Sequence, residues 1–165
     1  MLTESIAAAY RTSRDVIGRH CPDVALGALP AAGFATRAAV ARTDAATWNS
    51  VEALRDEHFG PLLLLVAVSS ADERGAILRD MGGTLATCIH CEPDEAEFAA
   101  LAATQAAPIS GRIVWQGFST GVAVSEAMHH GGPWPAATVA SATSVGGRSI
   151  DRLQRPLCIQ TRCEP

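Results

Sequence analysis

Apolar and polar positions follow different rhythms along this chain, and each change of rhythm marks an element. Leu2, Ile6, Ala9, Tyr10, Ser13 and Ile17 fall near one face of a helical period, so Leu2 to Gly18 reads as a helix capped by Thr3 and ended by Gly18. Val24 to Pro30 and Gly33 to Val40 are short apolar pieces broken by Gly and Pro, a pattern of strand and loop. Trp48 to Arg55 reads as a short helix. Leu62 to Val68 has no polar face at all, which predicts a strand buried on both sides, as in a parallel sheet.

A helix follows over Ala71 to Met81, capped by Ser69 or Ser70 and stopped by Gly82-Gly83. Thr84 to His90 predicts the next strand. Pro93 opens a further helix to about Thr104, with Asp94, Glu95 and Glu97 in the first turn, where the helix dipole favours acids. Gly111 to Gln116 is the following strand. Strand, helix, strand, helix, strand is the order of βαβ units, so the expected class is α/β with a parallel sheet. From Gly117 onward the chain reads mostly as loop, a Gly/Pro-rich excursion of the kind that carries function more often than not. Arg148 to Leu153 predicts a last helical turn or two, and Pro156 to Thr161 a final edge strand able to pair with another subunit.

Composition narrows the classes. The chain has 165 residues, 48% of them hydrophobic and 18% charged, which suits one packed domain and excludes general disorder. A mean hydropathy of +0.15 with so little charge suggests an apolar face kept for a partner domain or subunit. A net charge of −4 and the absence of any Lys/Arg stripe argue against nucleic acid. Leu62 to Val68 falls far short of the roughly 20 residues that a membrane-spanning helix needs, and no signal-peptide pattern opens the chain. Cys21, Cys88, Cys91, Cys158 and Cys163 are odd in number and irregular in spacing, the pattern of reduced thiols in a cytoplasmic protein.

The candidate chemistry lies in Asp56-Glu57-His58-Phe59-Gly60-Pro61, a carboxylate and an aromatic ring on a Gly-Pro turn that feeds the most apolar strand. A carboxylate offers two acceptor oxygens to a vicinal diol, and an aromatic face gives a flat ring a packing surface. This stretch resembles the Glu-x-Phe-Gly-Pro motif of the aldehyde dehydrogenase superfamily. The resemblance implies that Glu57 accepts hydrogen bonds from the nicotinamide ribose and that Phe59 packs beside the nicotinamide. Gly111-Arg112-Ile113-Val114-Trp115-Gln116-Gly117-Phe118 is similar to the strand that leads into that family's substrate-mouth loop. The segment His129-His130-Gly131-Gly132-Pro133-Trp134-Pro135-Ala136 resembles the loop of its 2-oxoglutarate semialdehyde (2,5-dioxovalerate) dehydrogenase branch, as do Thr143-Ser144-Val145-Gly146 and Arg155 to Gln160. By the same resemblance, Phe118, His129, His130 and Trp134 line the substrate mouth. Gln116 stands where the family usually has Asn, and His58 is an unusual neighbour for Glu57 and Phe59.

The resemblance covers the C-terminal part of the catalytic domain, so the chain reads as a single partial domain without a complete dinucleotide-binding domain. The family's Cys nucleophile, oxyanion-holding Asn and general-base Glu lie before the matched region. No catalytic residue is assigned here, therefore, and the chain alone is expected to be inactive and to hold NAD(P)+ weakly at best. Its expected function is the C-terminal segment of an NAD(P)+-dependent dehydrogenase oxidising a semialdehyde to the acid. The alternatives are a non-catalytic oligomerisation module, assembling as a homo-oligomer or with a full-length relative, and a decayed remnant.

Other clusters carry less. Cys21, in His20-Cys21-Pro22, lacks the flanks of an activated thiolate and reads as a loop cysteine. Cys88-Ile89-His90-Cys91 has no second Cys/His pair to complete a zinc site, so it reads as a strand ending in ordinary thiols. Ser119-Thr120-Gly121 lacks the frame of a nucleophile elbow.

Overall fold

The computed structural model describes residues 1–160, and its contacts divide the chain into two compact units, 1–77 and 78–165. In the first unit, α1 (Glu4–His20) begins at Thr3, whose hydroxyl accepts the Ile6 N–H at 3.2 Å. The helix does not stop at Gly18. Glycine in a helix costs only about 1 kcal/mol, and Arg19 and His20 in the last turn complement the dipole, so the cap falls at Cys21, whose N–H donates to the Ile17 carbonyl at 2.9 Å.

A three-stranded sheet follows, with β1 (Asp23–Leu26) antiparallel to β2 (Ala39–Asp44), and β2 parallel to β3 (Leu62–Ala67) in the register Ala39↔Leu62 to Asp44↔Ala67. Between β2 and β3 run α2 (Ala45–Ser50) and a 3₁₀ turn, Glu52–Leu54. Asp44 caps α2 by accepting the Thr47 N–H at 2.8 Å, and that hydrogen bond holds its carboxyl below the ordinary value. The core gathers on one side of this sheet. Ile17, Cys21, Ala41, Ala45, Trp48, Leu54 and Ile77 are buried together, and Val24, Leu62, Leu64 and Val66 pack against them.

The expectation of burial on both faces of β3 does not hold. Its residues alternate between half-buried and exposed, with Leu63 at 55% and Leu65 at 46% exposure, beside Val40 of β2 at 43%. The physical reason is that α1 and α2 reach the sheet through the buried alternate positions, Ala39, Ala41 and Thr43 of β2 with Leu62, Leu64 and Val66 of β3. The opposite face keeps its apolar residues uncovered among the described residues.

α3 (Ala71–Met81) matches the sequence reading at both ends. Ser70 Oγ accepts the Glu73 N–H at 3.1 Å, and the Glu73 carboxylate accepts the Ser69 N–H at 2.6 Å and its hydroxyl at 2.9 Å, a reciprocal cap. Gly82, at φ 72°, ends the helix in the left-handed region.

In the second unit, β4 (Thr87–Ile89) pairs in parallel with β5 (Ile113–Trp115), and the two are joined by α4 (Ala96–Ala106) and a 3₁₀ turn, Ala107–Ile109. Parallel pairing is therefore present, but in two separate sheets. α4 starts at Ala96 rather than at Pro93. Glu92 and Glu95 close a turn around Pro93, with the Glu92 N–H bonded to the Glu95 carboxylate at 2.8 Å, which leaves Glu97 as the acid of the first helical turn. The predicted last turn is a 3₁₀ helix, Gly147–Leu153. Residues 156–160 form no strand and are exposed, while Thr161 and Cys163 lie outside the described residues.

Candidate functional site

Asp56 to Phe59 belong to no helix or strand, so their position follows from their two ends. Upstream, Leu54 is anchored in the core at 2% exposure. Downstream, the Pro61 carbonyl accepts the Ala39 N–H at 2.9 Å and the Tyr10 hydroxyl at 3.0 Å. Tyr10 also donates toward the Arg37 carbonyl at 2.9 Å, so one phenol bridges the segments that enter β2 and β3. Its ring lies flat under Gly60, where a Cβ would come within 2.2 Å of Cδ2, so a side chain at that position displaces the ring or the turn. Tyr10 is fully buried. Desolvation pushes its phenol above the ordinary value, and the nearby Arg14 opposes this.

The turn and α1 enclose an open hollow of about 300 Å³ lined by Ser5, Ile6, Ala9, Tyr10, Ser13, Glu57 and Phe59. Glu57 and Phe59 thus share one cavity wall, both exposed to it, with Phe59 at 64% exposure. The opposite wall is a single stripe of α1, where Ala9 is small and Ser5 and Ser13 add hydroxyls. Carboxylate, hydroxyls and aromatic face together suit a ligand that joins a polyol to a flat ring. Beside them, His58 Nε2 is buried without a partner among the described residues.

The remaining candidates belong to the second unit, and there the backbone does the positioning. The Arg112 guanidinium donates to the carbonyls of Ser119 at 2.6 Å and Gly121 at 3.1 Å, fixing the exit from β5, and the exposed Phe118 ring stands 5.9 Å from that of His90. Gln116 sits at φ 49°, and its side-chain amide donates to the Cys91 carbonyl. A left-handed conformation is less comfortable for Gln than for Asn.

His129 and His130 lie on a loop held by Thr143, whose buried hydroxyl accepts the His130 N–H at 2.9 Å and donates to the Val145 carbonyl at 2.8 Å. Gly131 and Gly132 are buried against backbone: a Cβ on Gly111 would meet the Gly131 carbonyl oxygen at 1.8 Å, and one on Gly132 the Thr84 carbonyl oxygen at 2.7 Å. The two histidines face different hollows. His129 lines one of about 340 Å³ with Glu126, Arg148 and Asp151, and His130 one of about 440 Å³ with Thr138 and Ser144. Arg152 lines both, a residue that sequence reasoning passed over. Trp134 is 74% exposed and joins neither wall, while its carbonyl accepts the Gly83 N–H at 3.0 Å. Among the described residues, no three His, Cys, Asp or Glu side chains gather to hold a metal, and no helix is long and apolar enough to cross a membrane.

The chain is 34% identical over 162 residues to alpha-ketoglutaric semialdehyde dehydrogenase 2 of Azospirillum brasilense, a match covering 97% of this chain and 31% of that protein. The chain belongs to the aldehyde dehydrogenase superfamily. It is also 36% identical over 107 residues to the alpha-ketoglutaric semialdehyde dehydrogenase of Acinetobacter baylyi, covering 65% of this chain and 20% of that one. The chain thus spans about a third of the length of the first of these aldehyde dehydrogenases and a fifth of the second. Among solved structures, the Delta-pyrroline-5-carboxylate dehydrogenase of Mycobacterium tuberculosis, bound with NAD, shares the fold at a TM-score of 0.50 and 21% identity, over 79% of this chain and 24% of that one. No family model matches the chain. The mixed α/β architecture with parallel strand pairs is therefore an aldehyde dehydrogenase fold segment.

Proposed function

We propose that this chain is the C-terminal part of the catalytic domain of an NAD(P)+-dependent semialdehyde dehydrogenase, acting on 2-oxoglutarate semialdehyde, and that its own share of the site is a clamp for the nicotinamide riboside. The observation that supports this most is the shared hollow of Glu57 and Phe59 in a chain that aligns over 97% of its length with an alpha-ketoglutaric semialdehyde dehydrogenase. Glu57 offers two acceptor oxygens to the ribose diol, and Phe59 gives the nicotinamide a face to lie against. The volume and the mixed lining of the hollow fit a nicotinamide riboside. When bound, a nicotinamide would supply the hydride-accepting ring. The chain's residues orient it and shield one face, and none of them supplies the nucleophile or the general base.

Phe118, His129, His130 and Trp134 belong, in this reading, to the aldehyde entrance. The exposed rings of Phe118 and Trp134 offer an apolar rim, and the Thr143 staple keeps the histidines in place. The protein works in the cytoplasm, in keeping with its free thiols. The test is direct: the purified chain, given 2-oxoglutarate semialdehyde and NAD(P)+, should produce no NAD(P)H. Turnover by the chain alone contradicts the assignment of roles.

A second reading rests on the C-terminal residues, where Leu153 at the end of the 3₁₀ helix and Leu157 and Ile159 beyond it are 83%, 70% and 82% exposed. Such a row is what an oligomerisation segment carries before it finds its partner. In that case the chain assembles with itself or with a full-length relative, and size-exclusion chromatography should show a complex that Leu157→Glu abolishes.

A further inference from the structure

The geometry points to Tyr10 as the residue that positions the Glu57–Phe59 turn for its ligand, an inference that rests on reading that turn as a nicotinamide-riboside clamp. A fully buried phenol on α1 could be ordinary core, and a phenylalanine would fill the same space. The hydroxyl is what distinguishes it. It bridges the Arg37 and Pro61 carbonyls at 2.9 and 3.0 Å, the carbonyls that lie just before two neighbouring parallel strands. The ring sets the level of the chain at the same point, because Gly60 rests on it with no room for a Cβ. Glu57 and Phe59 lie immediately before this anchor and line the same hollow as Tyr10 itself. Ring and hydroxyl therefore fix one end of the turn in height and in lateral position, and the clamp residues inherit that placement.

Removing the hydroxyl tests this without emptying the core. In the full chain, Tyr10→Phe should stay folded by circular dichroism, while the amide of Ala39, bonded to the Pro61 carbonyl, and that of Leu62, bonded to the Gly60 carbonyl, should exchange about tenfold faster. The Val51 amide, bonded to the Thr47 carbonyl in the same unit, should keep its rate. Affinity for nicotinamide riboside, read by NMR titration, should fall about fivefold. Unchanged exchange at Ala39 and Leu62, or an affinity equal to that of the unmodified chain, overturns the proposal.

Should Tyr10→Phe fail to fold, Gly60→Ala presses on the same contact from the other side and should give the same selective acceleration. If the unmodified chain gives no response to nicotinamide riboside, it is the clamp reading that has failed. Exchange then decides for Tyr10 alone: selective acceleration upholds its hold on the turn, and unchanged rates overturn it.

Discussion

In residues 1–77, helices and sheet meet through large side chains, with Tyr10, Ile17, Trp48, Leu54 and Ile77 all buried, whereas in residues 78–165 the buried apolar side chains among the described residues are Ile89, Ala102, Ala106 and Ile109. The second unit compensates with backbone. Gly83, Gly111, Gly131 and Gly132 each face main-chain carbonyls closer than any Cβ allows, and Thr143 ties the loop they build. A core of side chains tolerates small changes of shape because its rotamers can adjust. Backbone packed on backbone has no such freedom, so a methyl gained at a backbone contact of the second unit should cost more than a methyl lost from the core of the first.

The largest effect is expected where a methyl is added to the backbone contact. Gly111→Ala should cost about 3 kcal/mol or more in urea unfolding, since the new carbon meets the Gly131 carbonyl and neither side can yield. Removing one methyl from the first unit's core, by Ile17→Val, should cost only about 1 kcal/mol. Equal costs for the two would break the contrast. Thr143→Val leaves the His130 N–H and the Val145 carbonyl without their partner and should cost about 1.5 kcal/mol, with faster exchange confined to the loop.

Smaller effects come with pH, both from the first unit. Burial raises the Tyr10 phenol, so the folded state holds that proton more tightly than the unfolded chain does. Its contribution is complete below the ordinary tyrosine range of about 10 and is lost as pH rises through the raised value. The alkaline fall in stability should be shallower in Tyr10→Phe. For Asp44 the sign reverses: its lowered carboxyl contributes above the ordinary aspartate range and ceases to contribute as pH falls through the lowered value. An acid titration of Asp44→Asn should lack that part of the decline.

Elements with strong local punctuation were legible in the sequence. Thr3, Ser70 and Gly82 mark their helix ends because capping is decided within a few residues. β1 and β2 were harder. Ala39 to Asp44 has little strand propensity of its own and becomes a strand by pairing on both sides, a tertiary effect. The exposed face of Leu63 and Leu65 could not be read from an apolar run, because periodicity does not say which neighbours arrive.

Glu57 and Phe59 were legible as a motif, and the structure places them on one hollow. Tyr10 was legible only as one apolar position among several on α1. Its role needs the distances to Arg37 and Pro61, which no local pattern encodes. Gly131 and Gly132 likewise read as turn residues, although their work is close packing.

The most direct test of the central claim is an NMR titration of the full chain with nicotinamide riboside, run beside Glu57→Gln. A clamp predicts shifts confined to the residues around the hollow, Ser5, Ile6, Ala9, Ser13, Glu57 and Phe59, with affinity about tenfold weaker once the carboxylate becomes an amide. Shifts elsewhere, or an affinity that Glu57→Gln leaves unchanged, would contradict it.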